Sequence, residues 1–190
     1  MMNRALFLDR DGVLDELVFY PSHGEWESPR HVSDLKMRDG AAEALKQATR
    51  AGWLLFIITN QPSYAKGKCP LEDLQEVHAR VLDELKRAGV TITADYICFH
   101  HPESKLEGFG ACECRKPSPF FIREAAGRYD VDLQRSWMVG DQDTDVVTGI
   151  NAGCRTALLN YDRSANKRGK TKPDVICADL ADFVRKLETL

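Results

Sequence analysis

Leu6-Phe7-Leu8-Asp9-Arg10-Asp11-Gly12-Val13 decides the reading of this chain. Three apolar residues suit a strand buried on both faces of a parallel sheet. Two aspartates spaced i, i+2 follow, and Gly12 then lets the backbone turn sharply. Open α/β sheets hold their chemistry in the crevice beyond the carboxyl ends of the strands, so Asp9 and Asp11 are expected there. Two neighbouring carboxylates repel, and a hard divalent ion such as Mg²⁺ relieves that repulsion. One aspartate can then attack an electrophile while the other exchanges protons.

Outward from this stretch, apolar runs alternate with helical patterns. Strands are expected over 5–8, 53–58, 95–99, 136–139, 156–159 and 174–177. Helices are expected over 39–51, 70–88, 119–129, 143–152 and 180–190. The alternation predicts an α/β fold: a Rossmann-like three-layer α/β/α sandwich around a mainly parallel sheet, in one domain spanning 1–190. Residues 12–38 read as an irregular loop, because Pro21, Gly24 and Pro29 interrupt any periodicity.

Composition narrows the function classes. Of 190 residues, 43% are hydrophobic and 29% charged, and the net charge is −3. That balance gives no reason to expect nucleic acid or an anionic membrane as a partner. No apolar run approaches the ~18 residues of a membrane span. The first apolar run is only a strand long, with charges straight after it, so no signal peptide is read and a cytoplasmic location is expected. Six cysteines in a reducing compartment point to metal ligands or core residues before disulfides. No long exposed apolar stripe demands a partner, so a monomer is expected.

Three further pieces carry chemistry. The run ending at Ile58 leads into Thr59-Asn60-Gln61, a hydroxyl and two amides suited to phosphate oxygens. The run ending at Gly140 delivers Asp141, which can complete an oxygen site for Mg²⁺ with Asp9 and the Asp11 carbonyl. Asp143 is expected to cap the following helix, and Asp145 to cap it or support the site. Arg115-Lys116-Pro117 supplies a cation that can balance charge gathering on a phosphate.

Just before that cation lies Cys98-Phe99-His100-His101, then, with eleven residues between His100 and Cys112, Cys112-Glu113-Cys114. Three thiolates and one imidazole make a tetrahedral structural Zn²⁺ site. Either His100 or His101 can supply the imidazole. A zinc loop over 98–116 would brace Lys116.

The four ordered motifs resemble the haloacid dehalogenase-like phosphatases, from Leu6 to about Ala157. The resemblance implies that Asp9 is the nucleophile forming an aspartyl-phosphate. It implies that Asp11 protonates the leaving oxygen and then activates water. Thr59 and Lys116 would hold the transferring phosphoryl group, and Asp9, Asp11 and Asp141 would place Mg²⁺. Only 47 residues separate Asp11 from Thr59, and 55 separate Asn60 from Lys116, so no separate cap domain is expected. Specificity then falls to loops, mainly 12–38, 61–68 and 100–116.

Within that superfamily the cysteine loop is similar to that of the heptose-bisphosphate phosphatases and of the related histidinol-phosphate phosphatase domains. The resemblance selects Cys98, His100, Cys112 and Cys114 for Zn²⁺, and Asn60, Gln61 and Arg115 for substrate contact. It implies a small phosphorylated metabolite as substrate: a sugar bisphosphate losing its 7-phosphate, or histidinol phosphate or another small monoester. The chain departs from the pattern at Val13-Leu14-Asp15, at Pro62-Ser63-Tyr64 and at Gln142, and loop 15–38 is long. These departures are expected on the substrate side, away from the chemical core.

The remaining features read as ordinary. His23, Trp26 and His31 are expected to pack locally, and His78 to lie on the surface. The basic stretch 163–172 is expected to be solvated. Cys69, Cys154 and Cys177 are expected to be ordinary or core cysteines.

Overall fold

Leu6, Phe7 and Leu8 are wholly buried because strand β1 (Arg4–Leu8) has a parallel neighbour on each side. β4 (Trp53–Asn60) pairs with it through Leu6↔Leu55 and Leu8↔Ile57, and β6 (Trp137–Gly140) through Leu6↔Trp137 and Leu8↔Val139. The computed structural model describes residues 2–187 and Thr189. Its main sheet has six parallel strands in the order β5-β4-β1-β6-β7-β8, where β5 is Ala94–Cys98, β7 Arg155–Leu159 and β8 Val175–Cys177. The chain builds outward from β1 to β4 and β5, then returns to β6 on the other side. The switch point therefore lies between β1 and β6, where such sheets open a crevice.

Helices cover both faces. α1 (Ala41–Arg50), α2 (Leu71–Arg87) and α5 (Leu180–Lys186) pack on Leu6, Leu8, Leu55 and Ile57. α3 (Phe120–Tyr129) and the end of α4 (Asp143–Ala152) pack on Ala5, Phe7, Phe56 and Met138. This is the expected three-layer sandwich, and the described residues form no separate cap domain. The expected closing helix ran to residue 190, but α5 ends at Lys186, and Glu188 and Leu190 lie outside the described residues. No helix among the described residues is long and apolar enough to cross a membrane.

Parity along β1 and β4 divides their side chains between the two cores. Phe7 stacks on Phe56 at 5.2 Å between centroids. Phe56→Ala should cost about 3–5 kcal/mol in urea unfolding, because the ring is fully buried. Ile176→Ala, on a residue 60% exposed, should stay within about 0.5 kcal/mol.

The stretch 12–38 is not an irregular loop. It folds as an antiparallel hairpin of β2 (Val18–Tyr20) and β3 (Glu25–Glu27), followed by a short 3₁₀ turn over Val32–Asp34. The hairpin is held by distant contacts. Arg163 donates to Glu16 and to the Leu17 carbonyl and lies 4.4 Å over the Trp26 ring, and Lys167 donates to the Trp26 carbonyl. The basic stretch is thus not simply solvated: these two residues form a wall with the hairpin. His78 is also not a surface residue; it is buried, with Nε2 3.0 Å from Asp95. Trp26 packs against Phe19, as local packing predicted, whereas His31 reaches the distant Asp73 of α2. Cys154 and Cys177 are buried, and Cys69 is half-buried.

Candidate active site

Strands β1, β4 and β6 end side by side, and each ends in polar residues. Asp9 leaves β1 with its backbone N–H bonded to the Val139 carbonyl. Its Oδ1 accepts from the Arg10 N–H at 2.7 Å and from Lys116 Nζ at 2.8 Å. Lys116 Nζ also donates to Asp145 Oδ1 at 2.7 Å, so one buried ammonium bridges two carboxylates. Burial opposes the Lys116 charge, but Asp145 and Asp9 outweigh it and raise its pKa. Asp145 accepts from the Gln142 N–H with its other oxygen, closing the first turn of α4. Asp145 therefore both supports the site and caps the helix. Asp143 instead ties α4 to residues 170–171, accepting from both backbone N–H groups.

The acidic side chains lack sufficient counter-charge. Asp9, Asp11, Asp15, Asp141 and Asp145 are all buried, against only Arg10 and Lys116. Burial pushes Asp9 well above the usual carboxylate range, with Asp145, Asp141 and Asp11 adding to the effect. Burial and Asp145 push Asp141 up to about 7. One oxygen from each of Asp9, Asp141 and Asp145 falls within 4.8 Å of the others, and both Asp141 oxygens are buried without a hydrogen bond. Such a set of hard oxygen donors fits a divalent cation. The cradle leaves no room for a side chain at residue 12: Gly12 has φ +82°, and a Cβ there would lie 2.3 Å from Asp141 Oδ2.

Asp11 faces differently. Its Oδ1 accepts from Arg10 Nη2 at 2.7 Å, and its Oδ2 accepts from Gln61 Nε2 at 2.5 Å and Thr59 Oγ1 at 3.5 Å. Burial opposes the anion, but Arg10, Gln61 and Ser28 outweigh it and hold the Asp11 carboxyl low. Asp15, one of the departures expected on the substrate side, is wholly buried beneath it, with Oδ2 3.3 Å from Arg10 Nε. That departure touches the chemical core after all.

These groups open into a cavity of about 270 Å³. Asp9, Asp11 and Lys116 form its floor, and Asn60, Ser63, Gln142 and Thr144 its sides. Glu25, Glu27 and Ser28 of the hairpin segment face Lys66, Lys68, Arg115 and Lys167 around the rim. Gln61, expected to contact substrate, is fully buried and not in the lining; its amide serves Asp11 and Thr59. Thr59 is also buried outside the lining, at the end of β4. Asn60 lines the cavity but uses its amide on the Lys116 backbone, donating to the carbonyl and accepting from the N–H. The residues that sequence reasoning missed include Arg10, Asp15 and Ser28, and Lys68 and Lys167 of the rim.

The four sulfur and nitrogen ligands converge as their spacing suggested. Cys98 Sγ lies 3.6 Å from Cys112 Sγ and 3.7 Å from His100 Nδ1, and Cys114 Sγ lies 3.3 Å from Cys112 and 3.6 Å from His100. A Zn²⁺ tetrahedron has edges of roughly 3.5–3.8 Å, so the cage fits that ion. Burial pushes the Cys98 and Cys114 thiols up, which a bound cation would reverse. His101 stays outside, with Nδ1 accepting from the Glu103 N–H.

A parallel sheet with this acidic floor and buried lysine at its switch point defines a hydrolase of the haloacid dehalogenase-like class. The HAD-hydrolase-like family model matches residues 113–183. The D-glycero-beta-D-manno-heptose-1,7-bisphosphate 7-phosphatase of Helicobacter pylori is 35% identical over 83% of this chain and 83% of its own length. The enzyme of the same name from Pasteurella multocida is 30% identical over 100% of this chain and 99% of its own. Among solved structures, the D,D-heptose 1,7-bisphosphate phosphatase of B. bronchiseptica, complexed with magnesium and phosphate, superimposes with a TM-score of 0.81. It is 28% identical, with 99% of both chains covered. The chain belongs to the haloacid dehalogenase-like family, alongside the heptose-1,7-bisphosphate 7-phosphatases.

Proposed function

We propose that the chain removes the 7-phosphate of D-glycero-D-manno-heptose 1,7-bisphosphate. It is a phosphoric monoester hydrolase by family. The observation that carries the substrate is the cationic rim. Lys66, Lys68, Arg115 and Lys167 line one small cavity whose floor already has its own lysine. Burial, Lys68 and Arg115 lower the Lys66 pKa, a crowding that a second anionic group would relieve. A bisphosphate presents one phosphate to the floor and the other to the rim. Histidinol phosphate would bring an ammonium to a rim where four cations outnumber Glu25 and Glu27.

The chemistry follows from the floor. Both hydrogen bonds to Asp9 fall on Oδ1, which leaves Oδ2 to attack phosphorus. The P–O bond to the sugar breaks, and the leaving oxygen takes a proton from Asp11. Asp11 then accepts a proton from water as that water attacks the aspartyl-phosphate, releasing Asp9 and inorganic phosphate. The substrate-free site favours the Asp11 anion. A phosphate dianion entering beside it repels that charge and so favours the protonated form needed first. Lys116 balances the charge on the phosphoryl oxygens. The Thr59 hydroxyl, 3.5 Å from Asp11 and just behind the lining, would have to turn toward the cavity to donate to a phosphoryl oxygen. Mg²⁺ held by Asp9, Asp141 and the Asp11 carbonyl would offset charge and orient the phosphate.

Zn²⁺ held by Cys98, His100, Cys112 and Cys114 would fix the loop that carries Arg115 and Lys116. Arg115 already donates to the His100 carbonyl at 3.1 Å. Purified protein should contain about one zinc per chain, and Cys112→Ser should lose it and melt at a lower temperature. Metal analysis of folded, active protein without zinc would remove this site. For the reaction itself, ³¹P NMR of the product should show the anomeric phosphate retained and free inorganic phosphate released. Loss of the anomeric phosphate instead would reject the regiochemistry.

A further inference from the structure

Asp11 is gripped at both carboxylate oxygens by side chains that do not line the cavity. Arg10 takes Oδ1 and Gln61 takes Oδ2. Both residues are fully buried. Each is anchored in turn. Arg10 Nε faces Asp15 Oδ2, and the Gly12 N–H donates to the Asp15 carbonyl, which closes the turn around them. The Gln61 backbone N–H donates to the Cys98 carbonyl at 2.7 Å, and its amide also donates to Thr59. A carboxylate turns easily about its terminal torsion. Two donors on different oxygens stop that rotation.

We propose that Gln61, with Arg10, is a positioning residue for proton transfer: it fixes the direction of the Asp11 carboxylate toward the leaving oxygen. The proposal rests on the reading of Asp11 as the group that exchanges protons. Neither residue lines the cavity, so neither is assigned a catalytic role. Their effect is geometric, and a misplacement of about 1 Å in a reacting group costs on the order of 10²-fold in rate.

The leaving group separates this role from a structural one. An alkoxide needs the proton as its bond to phosphorus breaks, whereas p-nitrophenolate departs without one. The value of kcat/KM covers steps only through departure of the leaving group, so it excludes the later hydrolysis. Gln61→Met should lower kcat/KM for the heptose bisphosphate on the order of 10²-fold, and for p-nitrophenyl phosphate less than about 10-fold. Hydrolysis of the aspartyl-phosphate also needs Asp11, so a burst of p-nitrophenolate stoichiometric with enzyme should appear. Gln61→Asn, one methylene shorter, should behave alike and serves if Gln61→Met does not fold. Equal losses on both substrates with no burst, or no loss at all, would overturn the proposal. Any alkyl phosphate that the wild-type protein hydrolyses can replace the heptose substrate, so failure of that substrate alone leaves the comparison intact. A wild-type protein inactive on every ester would instead overturn the reading of the floor, and this proposal with it.

Discussion

Asp9→Asn should abolish phosphate release, by on the order of 10⁴-fold or more, while leaving the fold intact. The amide keeps the shape of the side chain but is no nucleophile toward phosphorus. The fold should not suffer, for an electrostatic reason. Asp9 has its carboxyl raised well above the ordinary value of 3.8 by burial and by its acidic neighbours. A carboxyl raised on folding binds its proton more tightly in the folded state, so stability declines as pH rises from that ordinary value through the folded one. At pH 7 the metal-free protein therefore carries a cost that the neutral amide removes. Calorimetry without Mg²⁺ should show a melting temperature equal to or above wild type. A soluble, folded Asp9→Asn protein that still turns over would eliminate Asp9 as nucleophile.

Lys116→Met should cost less activity than the first change but, unlike it, should also destabilise. The ammonium is buried between Asp9 and Asp145 and has no substitute in reach of both. Without it the phosphoryl charge loses a fixed partner, worth about 10²–10³-fold in rate. Removing one member of a buried ion pair costs about 3–5 kcal/mol, less whatever the stranded carboxylates recover by taking up protons. Added Mg²⁺ should return part of the stability, because it supplies positive charge to the same carboxylates, but not the activity. Urea unfolding with and without Mg²⁺, alongside phosphate release, checks both halves. Activity above a tenth of wild type would contradict the role given to Lys116.

What could be read from the sequence follows from how locally each feature is encoded. The buried strands carry their own signature, continuous apolar runs ending in Asp9, Thr59 and Asp141, so sheet and floor were legible together. The cysteine spacing picked out four side chains whose sulfur and nitrogen atoms the fold gathers within 4.8 Å of one another. The hairpin was not legible, because each strand is three residues long and its support comes from Arg163 and Lys167, far along the chain. Gln61 had a signal that went unused. On an extended chain it shares a side with Thr59 and opposes Asn60, and that side faces Asp11. His78 also had one: it lies four residues after Leu74 and three before Val81, on the edge of the apolar stripe of α2. Arg10 had none, since a charged residue between two aspartates reads as solvated until the turn closing on Asp15 buries it.

The most direct measurement is the specificity constant for phosphate release, with Mg²⁺, on both anomers of heptose 1,7-bisphosphate, histidinol phosphate, and several hexose and triose monophosphates. Asp9→Asn serves as the blank. A heptose bisphosphate preferred over every monophosphate by 10-fold or more, roughly the least that a second phosphate held by Lys66 and Arg115 should contribute, is the result expected here. A monophosphate hydrolysed as well as the bisphosphate would contradict it, and would mean that the cationic rim serves some purpose other than a second phosphate.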